Sequence, residues 1–115
     1  IVHLEADFHD AVRWADANGR RWTFTLSNAG GAYAEFRDSV NQLDEINWTA
    51  VVATNFRDPD VKEGKQAEFL MQGFFPWSLV QRICVHSTRI KSRVLRALDG
   101  ASHRPPVEVS PDWYY

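Results

Sequence analysis

Gln66-Ala67-Glu68-Phe69-Leu70-Met71, followed closely by Phe75-Pro76-Trp77 and Ile83-Cys84-Val85, is the stretch on which the fold class turns. A polar pair alternates with apolar residues before the run becomes fully apolar, which predicts a strand entering the core. Residues two apart on a strand point to the same face, so Gln66 and Glu68 are expected to share one pocket wall. Pro76 suits the first turn of a short helix containing Trp77, Leu79 and Val80, and residues 83–85 read as the next buried strand. Outward from there, Ser87 is placed to cap a helix over residues 88–98, apolar at Ile90, Val94, Leu95 and Leu98 and stopped by Asp99-Gly100. Val107-Glu108-Val109 alternates as an edge strand, and the terminal Pro111-Asp112-Trp113-Tyr114-Tyr115 is expected to pack its aromatics back on the body.

Toward the N-terminus, Ile1-Val2-His3-Leu4 alternates like a strand. Asp7 can cap a helix over residues 8–18, with Phe8, Ala11, Val12 and Ala15 at helical spacing and Gly19 as its stop. Trp22, Phe24 and Leu26 alternate with threonines as a strand, and Ser27-Asn28-Ala29-Gly30-Gly31 reads as the loop after it. Residues 33–53 read as short helices around Tyr33, Phe36, Val40, Leu43, Ile46 and Trp48, with Asn41 and Asn47 as caps. Residues 55–65 have no apolar face and read as an exposed loop. Strands and helices without a regular βαβ rhythm indicate an α+β domain.

The 115 residues suffice for one domain. Fifteen of them are aromatic (5 Trp, 3 Tyr, 7 Phe), so flat side chains must build a core, a ligand pocket or both. The single cysteine, Cys84, excludes an internal disulfide and a Cys-rich zinc site, and fits a small core thiol in a reducing compartment. No apolar run approaches the roughly 18 residues a membrane span needs, and no signal peptide is visible, so a soluble cytoplasmic protein is expected; separately, a monomer is expected. Residues 1–70 hold 12 acids and 7 bases, whereas residues 82–104 hold six bases against Asp99 alone. That basic stretch allows nucleic acid without demanding it, since Arg89, Arg93 and Arg96 suit the solvated face of a helix.

Chemistry concentrates at Glu68. A carboxylate at the start of a buried strand is costly unless paired, hydrogen-bonded or catalytic, and the plainer reading is a sheet-edge Glu in contact with water or Arg57. His86 lies two residues after Cys84, but nothing supplies two further ligands, so no metal site is read. There is no Gly-x-Ser-x-Gly, no P-loop and no Gly-x-Gly-x-x-Gly.

Lys65-Gln66-Ala67-Glu68-Phe69-Leu70, with Phe75-Pro76-Trp77 and Leu79-Val80, resembles the C-terminal half of the DarT family of bacterial toxins, which are DNA ADP-ribosyltransferases. Trp22-Thr23-Phe24-Thr25 before Asn28-Ala29, Leu43-Asp44-Glu45-Ile46-Asn47-Trp48 and Asp112-Trp113-Tyr114-Tyr115 agree with it, so the resemblance covers nearly all 115 residues. It implies an ADP-ribosyltransferase-like fold, with a central mixed or antiparallel sheet and surrounding short helices. It also implies transfer of ADP-ribose from NAD, as co-substrate and without a metal, to a base, thymidine in much of the family, in single-stranded DNA. Glu68 corresponds to the family's catalytic glutamate: as nicotinamide leaves, positive charge grows on the ribose, and a fixed carboxylate stabilises it. Gln66 would then meet the nucleobase and Asn28 line the same site. Residues 55–65 resemble the target-recognition segment, in which Arg57, Lys62 and Lys65 are candidates for phosphate contacts. Leu26 departs from a frequent Asp-containing pattern. A macrodomain antitoxin, DarG, is the partner the resemblance implies.

In that family a histidine-containing strand and an arginine of the NAD cleft precede this region. Residues 1–115 are therefore expected to be the C-terminal part of one such domain, without the first NAD-binding strands and inactive or nearly so alone. The alternative is a non-catalytic module of the same fold that binds DNA or a protein.

Overall fold

The computed structural model describes residues 1–114. In chain order the elements are β1 (His3–Ala6), α1 (Phe8–Ala17), β2 (Trp22–Thr25), β3 (Phe36–Arg37), α2 (Trp48–Val52), α3 (Pro59–Gly64), β4 (Phe69–Met71), β5 (Val80–Val85), α4 (Thr88–Ala97) and β6 (Val107–Val109). Short 3-10 helices lie at Val40–Glu45, Trp77–Leu79 and Pro111–Trp113. The mixed α+β composition agrees with the sequence, and the strand pairing is shared between two three-stranded sheets. The chain divides into two compact units, Ala15–Phe74 and the remainder.

In the unit formed by Ile1–Trp14 and the residues from Phe75 onward, β5 is the central strand, flanked by β1 and β6. Val80, Ile83, Val85 and Val107 form the buried cluster, with Ile90, Val94 and Leu98 of α4 packed on it. Each such aliphatic side chain taken from water contributes about 1.5–3 kcal/mol. The pairing of β5 is antiparallel to β1 (His3↔Cys84) and parallel to β6 (Ile83↔Val107). The parallel pair requires a crossover, which α4 supplies. Ser87 Oγ accepts the Ile90 N–H at 3.3 Å, the predicted cap, and Gly100 takes the left-handed stop at φ +81. Arg89, Arg93 and Arg96 are exposed, as expected for a solvated face. Leu95 is exposed too, at 50%, because Ile90, Val94 and Leu98 alone reach the sheet.

Two carboxylates flank Arg82 of β5: Glu5 from β1 and Glu108 from β6, while Trp113 lies 5.0 Å beneath the guanidinium. The hydrogen bonds that Arg82 donates to Glu5, then to Glu108, raise its pKa, so the charge is fixed at any working pH. The Tyr114 hydroxyl lies 2.9 Å from the Ile1 carbonyl and 3.1 Å from that of Cys84. Trp113 and Tyr114 thus pack back as the alternating tail suggests, whereas Tyr115 lies outside the described residues. Cys84 is fully buried.

In the unit Ala15–Phe74, β2 lies between β3 and β4, antiparallel to both. Phe24 is 1% exposed and anchors its core. Four expectations are corrected here. Residues 36–37, read as helical, pair as β3 with Thr25 and Phe24. Tyr33, read as part of a short helix, stands in a turn and is 92% exposed. Residues 55–65 are not all loop, because Asp58 Oδ1 accepts the Asp60 N–H at 2.9 Å and starts α3, with Pro59 at its first turn. Asn47 caps α2 as predicted, through the Ala50 N–H at 3.0 Å, while Ser39 and not Asn41 caps the 3-10 helix Val40–Glu45. Among the described residues, no helix is long and apolar enough to cross a membrane.

Candidate active site

β2 and β4 set the position of Glu68. Their ladder pairs Trp22 with Met71, Thr23 with Leu70 and Phe24 with Phe69. One step on, the Thr25 N–H donates to the Glu68 carbonyl at 2.8 Å. The return bond is not main chain to main chain: the Glu68 N–H donates to Thr25 Oγ1 at 2.9 Å. Oγ1 in turn lies 2.6 Å from the Ser27 carbonyl, to which it donates. The chain thereby turns out of β2, and the loop it enters passes beside Glu68, whose Oε2 accepts the Ala29 N–H at 3.3 Å. Glu68 Oε1 has no hydrogen bond among the described residues, so one carboxylate oxygen is held and the other is open to a ligand.

The loop is stiffened from within. Asn28 Oδ1 accepts the Gly30 N–H at 2.8 Å, and the Asn28 carbonyl accepts the Gly31 N–H at 3.0 Å. Beside it opens a cleft of about 180 Å³, lined by Asn28, Tyr33, Glu63 and Gln66 among others. A neighbouring cleft of about 220 Å³ shares Ser27, Tyr33 and Glu63. Tyr33 therefore forms a rim common to both. A larger hollow of about 570 Å³ lies toward the Arg20–Thr23 end of β2, away from Glu68. Its Arg37 is committed to Glu45, whose two oxygens lie 3.1 Å from Nε and raise the guanidinium pKa.

The sequence-derived residues meet in part. Glu68, Asn28 and Gln66 gather around the 27–31 loop, but Gln66 does not reach it by strand alternation. β4 begins only at Phe69, and Gln66 sits in the turn that closes α3, its N–H donating to Glu63 at 3.1 Å. Nor is Glu68 buried: it is exposed at the strand mouth, and Leu70, expected inside, is 39% exposed. Lys65 turns inward, its Nζ donating to the Val51 carbonyl at 2.6 Å and lying 5.5 Å from the Phe56 ring centre, so its ammonium is engaged within the chain. Arg57, before α3, and Lys62, on it, are exposed. Among the described residues, no three His, Cys, Asp or Glu side chains group to hold a metal. Thr25 and Tyr33 were not singled out from the sequence: a threonine in an alternating strand reads the same whether its hydroxyl faces solvent or a buried bond.

The family model for DarT, described as ssDNA thymidine ADP-ribosyltransferase, matches residues 1–115. The chain belongs to the DarT family. A DarT relative from Thermus sp. (strain 2.9), named DNA ADP-ribosyl transferase, is 36% identical over 118 residues, covering 100% of this chain and 54% of the relative. The solved structure of Thermus sp. 2.9 DarT in complex with NAD+ superposes with a TM-score of 0.88 at 32% identity, covering 99% of this chain and 57% of that one. The same protein in complex with ADP-ribosylated ssDNA gives 0.88 and 32%, covering 99% and 54%. The chain thus spans about half the length of the DarT proteins it matches.

Proposed function

We propose that this protein is a DNA ADP-ribosyltransferase toxin, which moves ADP-ribose from NAD to a thymidine base in single-stranded DNA. Glu68 carries the reading: one carboxylate oxygen is held by the Ala29 N–H, the other is open, and the 27–31 loop that holds it borders a cleft lined by Asn28, Tyr33 and Gln66. The bond from ribose C1′ to the nicotinamide nitrogen breaks, a bond from C1′ to the base forms, and the base loses a proton. Glu68 stabilises the ribose cation and accepts that proton or holds a ribose hydroxyl. Because the carboxylate is fixed by backbone before the charge develops, little reorganisation is needed in the transition state.

The cleft supplies the base site. Gln66 and the Asn28 amide nitrogen offer hydrogen bonds to a base edge, and the exposed Tyr33 ring offers a face for stacking. A duplex hides both edge and face, which makes the single strand the accessible substrate. Arg57 and Lys62 contact the flanking phosphates. The cytoplasm, where NAD and DNA are at hand, is the site of action, and the family resemblance supplies a DarG-type macrodomain antitoxin as partner.

Mass spectrometry of a thymidine-containing oligonucleotide, incubated with NAD and the full-length protein, tests this reading. An added ADP-ribose on the thymidine oligonucleotide, and none on one lacking thymidine, is the expected result. DNA binding without any NAD-dependent mass change identifies the non-catalytic module instead.

A further inference from the structure

We infer that Thr25 is a positioning residue for the Glu68 carboxylate, acting through a closed ring of hydrogen bonds; this rests on the transferase reading above. The ring runs from Thr25 Oγ1 to the Ser27 carbonyl (2.6 Å), along the loop to the Ala29 N–H, across to Glu68 Oε2 (3.3 Å), and back from the Glu68 N–H to Oγ1 (2.9 Å). Thr25 is fully buried, although it neighbours the exposed Leu70 and Glu68 on the same sheet. A single hydroxyl has one proton to give and lone pairs to receive. Here the proton goes to the loop and a lone pair receives the strand, so the same oxygen fixes both supports of the carboxylate. An all-backbone ladder would fix the Glu68 main chain but leave the loop free to move away from Oε2. Valine has the shape of threonine without the hydroxyl, and would leave the Ser27 carbonyl and the Glu68 N–H without these bonds. Serine keeps the oxygen.

The full-length protein is compared with its Thr25→Val, Thr25→Ser and Ala29→Pro variants. Two readouts are taken: steady-state transfer, and amide hydrogen exchange without NAD or DNA. Misplacing a reacting group by about 1 Å costs on the order of 10²-fold in rate, so Thr25→Val is expected to lose about that factor in kcat with KM little changed. Thr25→Ser restores it. Ala29→Pro, which deletes the N–H holding Oε2, repeats the kcat loss and keeps the test decisive if Thr25→Val does not fold. In exchange, Thr25→Val is expected to lose protection at both Glu68 and Ala29, and Thr25→Ser to keep it. Wild-type kcat in Thr25→Val, or exchange at Ala29 unchanged from wild type, overturns the inference. A wild-type protein that transfers nothing while the exchange pattern follows this expectation overturns the transferase reading and leaves the hydrogen-bonded ring established.

Discussion

Tyr33 carries its ring almost wholly in solvent at the rim of two clefts, an arrangement with no folding benefit, since an exposed phenol buries nothing. Stacking a base on it returns about 1–3 kcal/mol. Tyr33→Ala is therefore expected to weaken single-stranded DNA binding by about that amount and Tyr33→Phe to preserve it. Fluorescence anisotropy measures the difference, and equal affinities for all three proteins would remove the ring from the interface. At this scale the sequence was informative where chemistry is unusual and silent where geometry decides. Glu68, Gln66 and Asn28 stood out through spacing and resemblance. Tyr33 read as one more aromatic of a short helix, and Lys65 like any loop cation, until the Val51 carbonyl claimed its ammonium.

Gly64 makes the meeting of α2 and α3 possible. A Cβ there would lie 2.9 Å from Ala50 Cβ and 3.1 Å from Asn47 Cβ, at the cap of α2, so neither neighbour can yield cheaply. Overpacking of this kind costs about 1–3 kcal/mol, and Gly64→Ala is expected to lower stability in urea unfolding by that amount. An unchanged midpoint would show that the two helices separate freely. The same helix explains why residues 55–65 read as loop. α3 is six residues long and buries only Gly64, so it shows no apolar stripe; its signals are the Asp58 cap and Pro59, which equally announce a turn. α1 and α4 were legible because ten residues with a cap, a stripe and a glycine stop agree with one another. β3 was not, since two residues carry no periodicity.

For the molecule as a whole, strands were visible in the sequence but their partners were not. β1 pairs with β5 across most of the chain, and β4 returns to β2, so the division into two sheets depends on contacts no local pattern encodes. Net charge is −2, and of the three cations expected at the recognition segment Lys65 is engaged internally. Two phosphate contacts, from Arg57 and Lys62, imply a slope of log K against log salt near about −1.4 for single-stranded DNA. A slope of about −2.8 or steeper would mean four or more contacts and a different interface.

The proposed chemistry rests on one carboxylate, and Glu68→Gln in the full-length protein tests it most directly. The amide keeps the shape and can still accept the Ala29 N–H, but it brings no negative charge to the ribose. With NAD and a thymidine oligonucleotide, transfer followed by mass spectrometry is expected to fall about 10²–10³-fold while DNA affinity stays unchanged. Transfer at the wild-type rate would contradict the account.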